Sequence, residues 1–463
     1  MRMRLRAVLC SLALLLAPFA AAAQVPPDEH WMTLRTQHFY VHYPRGLDDL
    51  GQRAAARAER AFAELSTDLV RPPRGRIDLV VSDNVDFSNG YSTPLPTNRV
   101  VIYAHPPIDE PALSFYDDWL QLVISHELTH TFHLDHATGV YRGLRSVLGR
   151  NPITFPNLFT PGWTKEGLAV FEESRLTRAG RLRGSLHEME IRTAVLEDRF
   201  FSIDRASGNP ASWPGGYTSY AYGSEFVQYL GTRLGAERVR EFVRVVGRRA
   251  IPYNLDAAGT AAFGFPLSQL WSEWHAGLRT RYAALADSLR RQGATEPEVL
   301  TRAGQQAEFP RFLADGSIVY AANTGRAESA TRIVTPGGAD RKLAPRTTLA
   351  PVAPTDGGGF VTSQIEAADP YRDFSDLYRI SPDGAVHRLT RGARLEEPDV
   401  SRAGRIVALR TGGGTTVPVL VDGATGAVKP LARPVPDVQW GLPRWSPDGS
   451  LIALSRWRRG GFL

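Results

Sequence analysis

The stretch "LVISHELTHTFHLDH" (residues 122–136) holds four of the chain's 11 histidines. It belongs to a longer run, "DDWLQLVISHELTHTFHL" (117–134), in which apolar residues recur at helical spacing without an internal glycine or proline, and this pattern predicts a helix. Histidines four residues apart lie on one face of a helix, so His126 and His130 can point their imidazoles at one ion. Glu127 is placed beside that face, where it can reach a metal-bound water without ligating the metal. The stretch therefore predicts half of a metal site.

This spacing is the HExxH pattern of zinc peptidases, in which the metal lowers the pKa of bound water and the glutamate takes its proton. The alternative is a helix whose histidines are satisfied by neighbouring side chains. Catalytic zinc also needs a third protein ligand and an open coordination position. Zn²⁺ is thus the expected cofactor, and the third ligand has two candidates.

The first candidate is His136. With His126, Glu127 and His130 it fits the spacing HExxHxxGxxH of the metzincins, except that His133 stands where those enzymes have glycine. On a continuous helix His136 would lie about 240° around the axis from His130, facing away from the metal. A left-handed glycine would let the chain leave the helix and return. Without that glycine, His136 is the weaker candidate.

The second candidate is Glu166, in "PGWTKEGLAVFEES" (161–174). From Trp163 onward this segment reads as a second helix that could pack against the first, and its first turn would then face the two histidines. Any glutamate in a first turn also complements the helix dipole, which is the alternative explanation. The joint occurrence with HExxH favours Glu166 as a ligand.

HExxH followed on a second helix by W-x-x-E-G-x-A resembles the gluzincin peptidases, the MA-like domains related to thermolysin and to the M1 aminopeptidases. The matching residues here are Trp163, Glu166, Gly167 and Ala169. The resemblance implies that His126, His130 and Glu166 bind zinc, and that Glu127 acts as general base and later as proton donor. It also implies a zincin-like domain made of a small sheet and a helical bundle.

Several positions depart from the M1 pattern. Glu166 follows His130 by 36 residues, which is longer than is typical, and the segment "VYRGLRSVLGRNPITFPNLF" (140–159) is expected to form a cap beside the cleft. Lys165 stands where an asparagine often precedes the liganding glutamate. The G-x-M-E-N motif that recognises a free amino terminus is missing upstream. An endopeptidase is therefore expected rather than an aminopeptidase.

The M1 enzymes also place a tyrosine, in Y-x-K-G, to donate a hydrogen bond to the oxyanion. In "YTSYAYGSEFVQYL" (217–230) the matching position is Tyr220, with Tyr222 where the lysine would be. The resemblance implies that Tyr220 stabilises the oxyanion. The alternative is that both aromatic residues simply pack.

Residues 30–105 mix strand-like segments, "HFYVHY", "RIDLVVS" and "NRVVIYA", with one amphipathic helix. The last of these strands could be an edge strand that holds extended substrate, or a central strand. Helices dominate from residue 111 to about residue 293. In "PLSQLWSEWHAGLRTRYAALADSL" (266–289) an apolar stripe predicts core packing through Leu267, Leu270, Trp271, Trp274, Leu278, Tyr282, Leu285 and Leu289.

Near residue 300 the sequence changes to short apolar runs separated by Gly, Pro and Asp. Four similar strand-turn-strand units have turn glycines Gly316, Gly357, Gly404 and Gly449, which are 41, 47 and 45 residues apart. Such spacing is typical of propeller blades. The units resemble the WD40-like repeats of TolB-type propellers, and "WSPDG" (445–449) matches these well. Because the fourth unit stops after one hairpin, a closed ring would need further sequence. Unrelated hairpins in a sandwich are the alternative.

The first residues, "MRMRLRAVLCSLALLLAPFAAAAQ", combine three arginines, an apolar run and small residues, which predicts a signal peptide over residues 1–23. The apolar run is shorter than the roughly 20 residues of a membrane span. Cys10, the only cysteine, lies within it, so the mature chain would have no disulfide. Cleavage removes three positive charges and lowers the formal net charge from +6 to +3. The remaining arginines are scattered, so no nucleic-acid partner is expected.

Taken together, the sequence predicts an α+β protein with a gluzincin-like domain over residues 28–295 and TolB-like propeller blades over 300–463. The predicted function is a secreted or periplasmic zinc endopeptidase acting on peptide or protein substrates, without a stable membrane span after signal cleavage. The alternative is a catalytically inactive scaffold whose propeller binds a protein or cell-envelope partner. Retention of His126, Glu127, His130 and Glu166 together argues against that alternative.

Overall fold

The computed structural model describes residues 26–108, 110–208, 210–293, 295–302 and 305–458. The predicted signal peptide and Cys10 lie outside the described residues. The predicted domain limits at residues 28, 295 and 300 stay a prediction. Among the described residues, no helix combines the length and apolar character that crossing a bilayer requires.

The chain begins with a five-stranded mixed sheet in the order β1-β2-β3-β5-β4. Its strands are β1 (Trp31–Arg35), β2 (Phe39–Pro44), β3 (Ile77–Ser82), β4 (Gly90–Thr93) and β5 (Arg99–Tyr103). β2, β3 and β5 are parallel, whereas β1 and β4 pair antiparallel at the two edges. The three predicted strands are therefore present. The segment "NRVVIYA" forms β5, an inner strand, so the edge strand on this side is β4.

Helix α1 (Asp48–Asp68) makes the crossover that joins the parallel strands β2 and β3. Its small apolar residues Ala54, Ala58 and Ala61 are fully buried, as is Leu65 one turn further on. Small side chains let the helix lie close to its neighbours. Helix α1 thereby supports both the sheet and the helix that carries HExxH, with Phe62 packed edge-on against Phe132.

Eight further helices follow among the described residues. They are α2 (Trp119–Asp135), α3 (Gly139–Leu148), α4 (Gly162–Leu176), α5 (Leu186–Leu196), α6 (Thr218–Leu234), α7 (Ala236–Arg248), α8 (Leu255–Phe263) and α9 (Leu267–Arg291). The predicted stripe on α9 is buried from Leu267 to Tyr282. Leu285 and Leu289 are instead exposed, because the last turns of α9 extend past the core.

The remaining described residues form antiparallel sheets. Three have four strands each, in the sequential orders β6 to β9, β10 to β13 and β14 to β17, and a fourth pairs β18 with β19. The strands are β6 (Gln306–Phe312), β7 (Ile318–Asn323), β8 (Ala330–Val334), β9 (Asp340–Pro345), β10 (Val352–Pro354), β11 (Phe360–Asp369), β12 (Arg372–Ile380), β13 (Val386–Arg388), β14 (Leu395–Val400), β15 (Ile406–Gly412), β16 (Thr415–Val421), β17 (Val428–Pro430), β18 (Val438–Trp445) and β19 (Ile452–Arg458). Sequential four-stranded sheets agree with the predicted repeat.

The turn glycines of these units adopt the left-handed backbone that the repeat requires. Gly316, Gly404 and Gly449 have φ values of 80°, 74° and 69°. In the second unit the residue with positive φ is Gly358, at 76°, and not Gly357 as predicted. Because residues 357–359 are all glycine, the sequence pattern does not indicate which of the three adopts the positive φ.

Ion pairs connect the β-rich region to the segment that follows β3. The Arg394 guanidinium donates to Asp83 at 2.9 and 3.0 Å and to Asp86 at 2.9 Å, and Asp86 also accepts from the backbone N–H of Ser375 at 2.9 Å. The Tyr116 and Trp457 rings stack 5.6 Å apart. These contacts join the second, third and fourth sheets of the β-rich region to the segments after β3 and before α2.

Candidate metal centre

Helices α2 and α4 bring three potential ligand atoms together. His126 Nε2 lies 3.1 Å from His130 Nε2, and Glu166 Oε2 lies 3.5 and 3.2 Å from these two nitrogens. Ligand atoms 2.0–2.1 Å from a tetrahedral zinc ion lie about 3.3 Å apart, so the spacing fits such an ion. Among the described residues, this is the one group of three or more His, Cys, Asp or Glu side chains whose ligand atoms all come within 4.8 Å of each other.

The helix prediction for this stretch is confirmed: α2 runs from Trp119 to Asp135. The Asp118 carboxylate caps its amino end by accepting from the backbone N–H of Gln121 at 3.1 Å. Most of α2 is buried, so neighbouring elements fix its rotation about its axis. That rotation decides which side the i, i+4 histidines face. Here it directs both of them toward α4.

The side chains that face the metal position shift each other's pKa values. Burial raises the pKa of Glu166, but the positive charge of His130 and hydrogen bonds from both histidines lower it well below its usual range. Burial and Arg181 act to lower the pKa of His126, yet hydrogen bonds to Glu166 and Glu173 raise it to about 9. A carboxylate and two imidazole nitrogens are a donor set suited to a dication, which binds the histidines in their neutral form and so displaces the proton that Glu166 and Glu173 favour on His126.

Glu127 lies next to the ligands and is 5% exposed. Burial raises the pKa of its carboxyl, although the charges of His126 and His130 oppose the shift. A Cβ built on Gly90, in the edge strand β4, would lie 3.1 Å from Glu127 Cγ and 2.8 Å from Val123 Cγ2. Only glycine permits this approach, so β4 passes directly over the candidate base.

Two residues that the sequence analysis missed hold His126 in place. The Glu173 carboxylate accepts from His126 Nδ1 at 2.8 Å, which leaves Nε2 to face the metal position. Arg181 donates to both oxygens of the same carboxylate at 2.9 and 2.7 Å. Burial raises the pKa of Glu173, but the charge of Arg181 and then the His126 contact lower it to about 2. Glu173 follows Glu166 by two helical turns, a spacing that could have revealed it.

Glu173→Gln is expected to weaken zinc binding by about 10- to 100-fold, because an outer carboxylate orients its histidine and raises its basicity. Competition with a chromogenic chelator measures the zinc affinity. Glu172→Gln is the matched control: Glu172 is also buried but is paired with Arg175 at 2.8 Å. Equal losses of affinity in both variants would show that Glu173 has only a structural role.

Tyr220, on α6, lies on the same side of the ligands. Its ring stacks at 6.4 Å from the His126 ring, and the Arg181 guanidinium lies 5.1 Å from its centre. Burial, followed by the charge of Glu166, raises the pKa of Tyr220, so its hydroxyl stays protonated and able to donate. Tyr222 is instead fully buried, and its hydroxyl accepts from the backbone N–H of Phe201 at 3.1 Å.

His133 and His136 do not join the cluster. His136 follows the end of α2, and its ring lies against α7, where a Cβ on Gly247 would be 2.5 Å from His136 Cδ2. His133 is buried, and its Nδ1 has no hydrogen-bond partner among the described residues. The Asn157 amide donates to the carbonyl oxygens of both at 2.6 and 3.3 Å. The geometry therefore places His136 where the helical wheel predicts, away from the ligands.

Four buried histidines are expected to make the zinc-free protein sensitive to acid. Burial lowers the pKa of His105, His133 and His187 to about 3 and that of His136 to about 4. Because these values lie below the unfolded value of about 6.5, their contribution to stability is complete above pH 6.5 and is lost as the pH falls toward 4. Each costs about 1.4 kcal/mol per pH unit in this window. Urea unfolding at pH 7 and pH 5 measures the loss, and an unchanged loss in His187→Gln would contradict this assignment.

The candidate site opens into a cleft of about 1170 Å³. Its walls include α2, α4, α6 and strand β4, and also residues of the β-rich region such as Gln305, Glu308 and Thr347. The residues that line it do not include any from 140 to 159, and the cap beside the cleft stays a prediction. Residues of the first two sheets of the β-rich region, such as Glu308 and Ile365, line the cleft.

No family model and no curated protein matches the sequence. Similar solved structures include a TolB protein from Agrobacterium tumefaciens, with 20% identity over 36% of this chain and 62% of that chain and a TM-score of 0.31. TolB from Acinetobacter baumannii gives 20% identity over 35% and 43%, with a TM-score of 0.28. Native yeast LTA4 hydrolase gives 14% identity over 51% and 39%, with a TM-score of 0.30.

The chain thus spans less than two thirds of these similar chains. The similar structures include TolB proteins, which the repeats from about residue 300 resemble, as well as hydrolases. Likenesses of this size carry no argument about activity. The chemistry of the cluster has to be argued from its own residues.

Proposed function

We propose that this protein is a secreted, zinc-dependent endopeptidase whose metal ligands are His126, His130 and Glu166. The observation that carries the proposal is the spacing of 3.1 to 3.5 Å among the three ligand atoms. The chemistry that zinc supplies in such a site is Lewis acidity, which acidifies water and polarises a carbonyl oxygen. Three protein ligands leave one tetrahedral position for water or substrate, as catalytic zinc requires.

In this proposal Glu127 accepts the proton of the attacking water and later passes it to the leaving amine. Burial raises the pKa of the Glu127 carboxyl, and a general base accepts a proton most effectively when its pKa lies near the operating pH. The Glu173 carboxylate and the Arg181 guanidinium keep His126 in one orientation during the reaction. Each of these groups is buried, so the charges act with little screening by water.

The edge strand β4 would bind the substrate backbone. Its open side is available for pairing because β4 is the last strand of the sheet, and Gly90, Tyr91 and Ser92 line the cleft. An extended peptide could add to this edge through main-chain hydrogen bonds. Gly90 would then bring the peptide close to Glu127.

We further propose that the Tyr220 hydroxyl donates to the oxyanion. Tyr220→Phe is expected to lower kcat by about 100-fold, the cost of removing one such donor, while zinc content stays the same. Steady-state cleavage of a fluorogenic peptide measures the effect. A variant with unchanged kcat would assign Tyr220 to packing against His126 alone.

The test of the proposed function is zinc content and casein cleavage in the purified protein before and after metal removal. We expect one zinc per chain, loss of cleavage on chelation, and recovery with one equivalent of zinc. Cleavage that survives removal of the metal would overturn the proposal. Absence of both zinc and cleavage would instead favour a scaffold that binds a protein or cell-envelope partner.

A further inference from the structure

The cleft has a second group of charged side chains, on the side formed by α5, the start of α6 and strand β6. Glu110, Glu190 and Glu308 all line this part of the cleft. The Tyr217 hydroxyl donates to Glu110 Oε1 at 3.0 Å. Burial raises the pKa of Tyr217, and the negative charges of Glu110, Glu308 and Glu190 raise it further.

Glu190 is the member that lacks compensation. Its side chain is 3% exposed, and its Oε2 is buried without a hydrogen-bond partner among the described residues. Burial alone raises the pKa of this carboxyl to about 8, and no positive group opposes the shift. An unpaired buried carboxyl is costly for a fold to keep. Facing an open cleft, it has a place for a partner that comes from outside.

The positive groups of the same cleft are already engaged. Arg181 donates to Glu173, and the two ligand histidines contact Glu166. Lys165 Nζ is directed to the carbonyl oxygen of Leu158 at 3.5 Å. The Glu190 carboxyl therefore has no cation of the described residues paired with it, and a cation that binds beside it in the cleft would favour its ionised form.

We infer that Glu190, with Glu110 and Glu308, forms a subsite for a positively charged group of the substrate. This inference rests on the proposed function, from which we take the substrate to be a peptide. Tyr217 lies one helical turn before Tyr220, so the cationic group would bind a short distance along the cleft from the metal. Two peptide groups have this chemistry: a lysine or arginine side chain and a free terminal ammonium.

The test measures binding in a Glu127→Gln background, where cleavage is expected to be too slow to consume the peptide during the measurement. The probes are acetylated alanine-leucine hexapeptides with one lysine placed at each position in turn, their norleucine counterparts, and the unacetylated norleucine peptides. Calorimetry should show that lysine at one position, or the free amino terminus, tightens binding by about tenfold, the effect of one charge-assisted hydrogen bond. The favoured probe distinguishes a side chain from a terminus.

Adding Glu190→Gln should abolish that preference, leave the affinity for the acetylated norleucine peptides within about twofold, and leave zinc content unchanged. Glu188→Gln is the matched control, since Glu188 lies on the same helix but is paired with Arg192. Glu308 belongs to the β-rich region, on the other side of the subsite. Glu308→Gln should therefore reduce the preference for the cationic probe even if Glu190→Gln fails to fold. No preference for any cationic probe, or a preference that survives both substitutions, would overturn the subsite. Failure of the wild-type protein to cleave casein would reject the peptidase proposal while these binding results still decide the subsite.

Discussion

Replacing Glu127 by Gln is expected to lower the turnover of peptide cleavage by about two to four orders of magnitude, the usual contribution of a positioned general base. The amide keeps the size and polarity of the side chain but cannot accept the proton of water. Because Glu127 is not one of the three clustered ligands, zinc content should stay at the wild-type level. Steady-state cleavage of a fluorogenic peptide and metal analysis of the same sample measure the two quantities.

Glu64→Gln is a suitable control, since Glu64 lies on α1, accepts from Arg60 and is not among the residues that line the cleft. It should leave both quantities unchanged. A Glu127→Gln protein that binds zinc and cleaves peptide at the wild-type rate would remove Glu127 from the mechanism. Loss of zinc together with activity would mean that Glu127 supports the metal rather than the proton transfer.

Replacing Glu166 by Ala should weaken zinc binding by at least about 100-fold, since loss of an outer partner alone costs 10- to 100-fold. It removes the oxygen that lies 3.2 Å from His130 Nε2 and 3.5 Å from His126 Nε2. His136→Ala should keep zinc, because its ring packs against α7. Chelator competition on both variants measures the affinities.

The opposite outcome, with zinc lost from His136→Ala and kept by Glu166→Ala, would favour the metzincin arrangement over the one proposed here. Equal losses from both variants would point to general unfolding. Thermal unfolding of the zinc-free variants distinguishes that case: Glu166→Ala removes the contacts with both histidines and should lower the midpoint, but the variant should still unfold in a cooperative transition.

The local part of the site was readable from sequence because helix geometry is regular. Positions i and i+4 fix the relation of His126 to His130 before any tertiary contact is known. The same regularity predicted that His136 lies on the side of the helix that faces away from His126 and His130. Glu166 needed a family resemblance as well, since its approach depends on how α4 packs against α2.

The parts that escaped prediction depend on contacts between distant segments. Strand β4 is only four residues long and mostly half-buried, so no alternation marks it as the edge strand over Glu127. Glu190 looks like any helix glutamate until α5 is packed against the cleft. Glu308 belongs to the β-rich region, and its place in the cleft depends on how that region packs against the helices.

The proposed function requires that side chains of α2 and α4 hold one zinc ion. Anomalous diffraction from crystals, measured above and below the zinc absorption edge, tests it most directly. The predicted result is one peak per chain, bonded to His126 Nε2, His130 Nε2 and a Glu166 carboxylate oxygen. A peak coordinated by His136, or crystals grown with zinc that show no peak beside His126, would contradict it.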